Sequence, residues 1–125
     1  MLANFLIPED VIREDGESQT FDLGTANGKL LLLTLGITRI IEQQSLELSV
    51  WGSPDGADWG AKPLGTFPQK FYTGTYQLLV DLADHAEVRH LKAKFKVNRW
   101  GHGRAKPMFG FYLFVQETEP RAATA

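Results

Sequence analysis

The residues able to do chemistry are few and scattered. The three histidines, His85, His90 and His102, show no recognised metal-ligand spacing such as an i, i+4 pair on a helix, and read best as solvated side chains. There is no cysteine, which removes disulfides, thiolate metal sites and thiol nucleophiles. Asp55 and Asp58, joined by Asp22 or Asp81, could be drawn as a carboxylate pair or a calcium site, but Asp55-Gly56 is first a turn signal. Gly101-His102-Gly103 lacks the strand-to-helix context that a phosphate-cradling loop requires. No Ser/His/Asp set can be assembled, so no catalytic residue, metal or cofactor is expected and the chain reads as a non-enzyme. Trp51, Trp59 and Trp100 fall at strand ends or in loops, with Trp51 in the outward phase of its strand. Such a tryptophan plugs the end of a sandwich, stacks on a sugar or base, or anchors a protein partner.

The elements that would carry these residues are strands. Leu46, Leu48 and Val50 alternate with Ser45, Glu47 and Ser49, the period of a strand with one face in a core. That strand breaks on Gly52-Ser53-Pro54-Asp55-Gly56, where Pro sets φ and Gly supplies a positive φ, and the loop closes at Trp59. Before it, Thr20 to Leu23 is a short strand. Leu30 to Ile41 is the most apolar run, and Thr34, Gly36, Thr38 and the β-branched Ile37 and Ile40 favour a central strand over a helix. After it, Leu64 to Phe67 forms a short edge strand next to Pro68. Tyr76 to Leu82, Val88 to Trp100 and Met108 to Glu117 complete the set. About eight strands without helical periodicity predict an all-β, two-sheet antiparallel sandwich, with a jelly-roll as the expected topology.

Bulk properties agree with one domain. The 125 residues bury about two-thirds of their extended surface on folding, enough for a single core. A net charge of −2 disfavours nucleic acid, and the longest apolar run, Leu30 to Leu35, is too short to span a bilayer as a helix. The start, MLANFLIPEDVIRED, has no basic segment and turns acidic where a signal peptide would stay apolar. A cytoplasmic or virion-associated location is therefore expected. The division is residues 1–18 as an arm or edge strand, 19–117 as the sandwich and 118–125 as a flexible tail.

Antiparallel pairing of the last two long strands across residues 101–107 would set Lys92, Lys94 and Lys96 beside Tyr112 and Phe114 on one outer face. There the lysine stems either cover the rings or rim an interface anchored by the aromatics. Met1 to Ile7, with Phe5 and Leu6, is an edge strand or an arm packing on a neighbouring subunit. A glycan-binding alternative would use Trp59 and Trp100 with His102 and Asp58.

One stretch carries a resemblance. Ser53-Pro54-Asp55-Gly56, two residues and then Trp59 resembles the S-x-D-G-x-x-W segment of discoidin-like β-sandwiches. Together with Gly74-Thr75-Tyr76, Arg89-His90-Leu91-Lys92 leading to Val97, and Phe109-Gly110-Phe111-Tyr112, it is similar to small tailed-phage and prophage virion proteins over about residues 20–117. The resemblance implies a structural protein that self-associates, as a homo-oligomer, or decorates a larger particle. The discoidin-like segment implies the carbohydrate-binding alternative.

Overall fold

The computed structural model describes residues 3–26, 28–40, 44–99 and 108–118, without the side chains of Thr25 and Arg99. Among the described residues nine strands form: β1 (Ala3–Ile12), β2 (Gly16–Glu17), β3 (Phe21–Asp22), β4 (Leu30–Ile40), β5 (Gln44–Ser53), β6 (Gly65–Lys70), β7 (Gly74–Asp81), β8 (His90–Arg99) and β9 (Phe109–Thr118). The only helical turn among the described residues is a 3-10 turn at Gly24–Ala26. All pairings are antiparallel. Sheet I has the order β1-β9-β4-β7, and sheet II the order β2-β8-β5-β6 with β3 also on β8. Taking β2 and β3 as one interrupted strand, this is an eight-stranded jelly roll, in which successive strands change sheet at every connection except the β5–β6 hairpin.

Period-two patterning decides the interior. Leu31, Leu33, Leu35 and Ile37 of β4, Leu46, Leu48 and Val50 of β5, Leu91, Ala93 and Phe95 of β8, and Phe109, Phe111, Leu113 and Val115 of β9 are all buried. Phe95 and Phe111 meet edge to face across the interior with centroids 5.6 Å apart.

Two expectations need correction. First, β8 and β9 do not pair. β8 lies between β5 and the β2/β3 segment, and β9 lies between β1 and β4, in the opposite sheet. Strands consecutive in sequence pair only about two times in three, and here the connection crosses from sheet II to sheet I. Second, Leu6 is not a surface contact. It is 6% exposed and packs in the core, while its neighbour Phe5 is 46% exposed. Residues 3–12 are an edge strand of sheet I on β9, interrupted by two register shifts around Ile7.

A polar side chain ties the sheets together at one end. Gln44 is 2% exposed, its Nε2 donates to the Met108 carbonyl at 2.7 Å, and its Oε1 accepts the Met108 N–H at 2.8 Å. The amide thus acts as a one-residue strand for the start of β9, joining it to the start of β5. Replacing it strands both backbone groups in a partly buried position. Gln44→Ala is therefore expected to cost about 2–3 kcal/mol in urea unfolding. Gln44→Glu keeps only the acceptor and should also be destabilised; wild-type stability of both variants would contradict the clamp.

Candidate functional site

Two outer surfaces remain, and their chemistry differs. On sheet I the register sets Phe5 opposite Phe114, Phe114 opposite Thr34, and Thr34 opposite Gln77. The next rows bring Leu32 beside Leu79, and Tyr112 beside Gly36. Phe5 meets Tyr112 at 5.8 Å and Phe114 at 5.0 Å, both edge to face. Tyr112 lies flat over Gly36, where a Cβ would stand 2.2 Å from its ring. Glycine there is a steric necessity of the ring's position. Leu79, on the edge strand β7, is 60% exposed. The face is therefore apolar and aromatic, with neutral polar Thr34, Gln77 and Gln116 between the rings.

Sheet II carries the lysines. Lys92, Lys94 and Lys96 point outward from β8, each opposite an outward residue of β5: Trp51, Ser49 and Glu47. They are on the far side of the sandwich from Tyr112 and Phe114, so the expected basic rim around those aromatics does not form. The lysines cover tryptophans instead. Lys94 Nζ sits 4.2 Å above Trp51, and Lys92 Nζ 4.5 Å above Trp59 while also pairing with Glu17 at 3.4 Å. Trp51 is held in place by its Nε1–H, which donates to Ser49 Oγ at 2.9 Å.

Beside Trp51 the surface dips into an open cavity of about 560 Å³ between β8, β5 and β6. Trp51, Pro63, Glu47, Gln69, Lys94 and Lys96 contribute to its walls. A smaller depression of about 260 Å³ shares Glu47, Gln69 and Lys96 and continues to Asp15 and Asn98.

Of the residues expected for a glycan site, neither described one, Trp59 or Asp58, lines this cavity. Trp59 is half-buried under Lys92 and does not line the cavity; Asp58 Oδ1 accepts the Gly60 N–H at 3.1 Å; Trp100 and His102 lie outside the described residues. Trp51, which does line the cavity together with Phe67, stands out in the sequence by its strand-end position and outward phase. Its neighbours Pro63, Thr66 and Gln69 come from a different part of the chain.

The Ser53 to Trp59 loop is a self-contained hydrogen-bonded unit. Ser53 is fully buried, and its Oγ accepts the N–H groups of Asp55 (3.2 Å) and Gly56 (2.9 Å) and donates to Asp55 Oδ1 (3.0 Å). Asp55 Oδ1 in turn accepts the N–H groups of Ala57 (2.8 Å) and Asp58 (2.9 Å). Gly56 has φ of 81°, which a side chain would resist. The Ser, Asp and Gly of the S-x-D-G element thus have structural work here: they satisfy the turn's own backbone. The Asp58 and Ala57 amides, then the Ser53 hydroxyl, hold the Asp55 carboxyl below its usual range. Among the described residues, no three of His, Asp and Glu gather as a metal site, and no helix is long and apolar enough to cross a membrane. His85 stands 3.7 Å from Glu87, and His90 is a half-buried strand residue beside Gly56.

No protein-family model and no curated protein matches this chain. Solved structures do. A chain in the structure of infectious bursal disease virus, Gt strain, aligns with a TM-score of 0.58 at 9% identity, covering 91% of this chain. This chain spans 30% of that one. The SPBc2 prophage-derived protein YomS aligns at 0.48 and 11% identity, over 93% of this chain and 96% of its own. The K3 cleaved adhesin domain of Lys-gingipain from Porphyromonas gingivalis aligns at 0.47 and 13%, over 90% and 71%. The virus chain shares the sandwich fold.

The loop generates a pH prediction. The folded Asp55 pKa lies below the unfolded one, so the folded state binds fewer protons there, and stability rises with pH through that range. The contribution is complete above the unfolded value near about 4 and is lost as pH falls through the folded value. Asp55→Asn, which keeps an acceptor but no charge, should flatten the acid side of the stability curve. Urea midpoints followed from about pH 2 to pH 6 measure this, and parallel curves for the two proteins would refute it.

Proposed function

We propose that this chain is a non-enzymatic structural protein that self-associates through the outer face of sheet I, as a component of a virion-type particle. The observation that carries the reading is the aromatic cluster of Phe5, Tyr112 and Phe114, continuous with Leu32 and Leu79 on a face that no other element among the described residues covers. Contiguous apolar surface of this kind, with aromatic anchors, is the mark of an interaction site. A second copy fits it because the centre of the face is uncharged, with its carboxylates, Glu9 and Asp81, at the margins. The edge strand β7 supports the same occupant. It pairs with β4 without interruption from Leu30↔Asp81 to Ile37↔Gly74, and contains neither proline nor bulge to blunt its free side. The sandwich shared with a chain of a virus structure agrees as a fold-level analogy.

Light scattering across a concentration series tests the proposal. The wild-type protein should form a defined oligomer. Leu79→Lys, which alters an exposed side chain, and the double change Tyr112→Ser with Phe114→Ser should each reduce it to monomer with the β-sheet circular dichroism retained. A monomeric wild type at every concentration, or an oligomer untouched by Leu79→Lys, would overturn the reading.

A further inference from the structure

We infer that the cavity on the outer face of sheet II is a binding site for an acidic carbohydrate, with Trp51 stacking on a uronate ring and Lys94 and Lys96 taking its carboxylate. This site is on the opposite face from the proposed self-association surface and stands independently of it.

Three observations converge. First, Trp51 is a preorganised plane. Its N–H is already committed to Ser49 Oγ at 2.9 Å, which fixes the ring's orientation and leaves its π face as the recognition element. A pyranose offers a C–H-rich face that suits such a plane. Second, the charge at the cavity is two lysines against one glutamate, Lys94 and Lys96 with Glu47, so the walls favour an anion. Lys94 sits 4.2 Å over the Trp51 ring in the empty site. A carboxylated sugar would take over the ring face and offer the displaced ammonium a carboxylate. The cation thus exchanges a weak contact for a charge-assisted one. Third, Glu47 and Gln69 bring acceptors and an amide donor to the same walls. These pair with the vicinal hydroxyls of a sugar. A DNA phosphodiester backbone has no hydroxyl to donate to Glu47, whereas each uronate ring has, so the wall chemistry favours a uronate over DNA.

The shape suits an oligomer. At about 560 Å³ the cavity falls in the range of small-ligand sites, and it is open along the sheet. The adjoining depression of about 260 Å³ extends the path past Lys96 towards Asn98. A chain of sugar rings could therefore lie along the strands from Trp51 to Asn98, with its carboxylates at Lys94 and Lys96 and its hydroxyls towards Glu47 and Asp15.

The test is an NMR titration of isotope-labelled full-length protein with trigalacturonate, galactotriose and a short oligothymidylate, each up to about 10 mM. Trigalacturonate should shift the Trp51 indole N–H and the amides of Lys94, Lys96 and Gln69, and neutral galactotriose should bind at least about tenfold more weakly. Lys94→Ala and Lys96→Ala, both at exposed or half-exposed strand positions, should each weaken trigalacturonate about tenfold or more. Trp51→Phe should weaken it while preserving the rest of the spectrum. Leu79→Lys should leave it unchanged. Absence of trigalacturonate shifts, equal response to the neutral sugar, shifts centred away from this cavity, or insensitivity to both lysine variants would each overturn the proposal. Tighter binding of the oligothymidylate would replace it with a nucleic-acid site.

Discussion

The edge-to-face contact of Phe95 and Phe111 across the interior determines what each surface can be. Both residues are odd-numbered members of strands that alternate strictly. Their inward position forces Lys92, Lys94 and Lys96 outward on one side of the sandwich, and Tyr112 and Phe114 outward on the other. Face-to-face sheets pack about 10 Å apart, so these two outward sets are separated by the full thickness of the molecule. One contact in the core thus divides the surface into an aromatic face and a cationic face, and neither can borrow residues from the other.

The period-two pattern was legible in the sequence because burial acts on each residue separately. An apolar residue at every second position of β5 and β8, with polar residues between, states which side is dry wherever the strand ends up. Pairing is a different kind of information. A strand's face is set by its own residues, but its neighbour is set by the crossings of the whole chain, and β8 and β9 have no local feature that declares them members of opposite sheets. Alternation therefore sets the aromatic and the lysine residues outward on their own strands, but leaves open that the two strands belong to opposite sheets. The Trp51 cavity was illegible for the same reason. Its walls come from β5, β6, β8 and the loop at Pro63, and only the register of Trp51 opposite Lys92 and of Ser49 opposite Thr66 brings them side by side. Gln44 is hidden on other grounds: a glutamine at a strand start reads as polar linker, and only the nearby Met108 backbone explains its burial.

Edges show a similar division of labour. The free side of β8 is closed by short segments and by side chains. Gly16 and Phe21 pair with it, the Ser18 backbone and hydroxyl bond to Ala93 at 2.8 Å, and Asp15 Oδ1 accepts the Val97 N–H at 2.8 Å. β6 contains Pro68, and β1 contains Pro8 with register shifts beside it. Each of these devices discourages another strand from adding to the sheet. β7 has none of them, and it borders the aromatic face. The least protected edge and the most apolar surface therefore belong to the same sheet.

This arrangement separates the two proposed activities by their physics. Burial of rings and leucines responds weakly to salt, while attraction of a carboxylate to exposed lysines is screened within about 8 Å at physiological ionic strength. The two faces also share no side chain through which one could report on the other, and the core between them is close-packed strand rather than a hinge. Self-association through sheet I would leave the sheet II cavity facing outward on every copy. An array of weak, salt-sensitive sites would then bind a polymeric acidic glycan far more tightly than any one site, because each attachment raises the local concentration of the next. Strength at the cationic face would come from the number of copies that the aromatic face holds together.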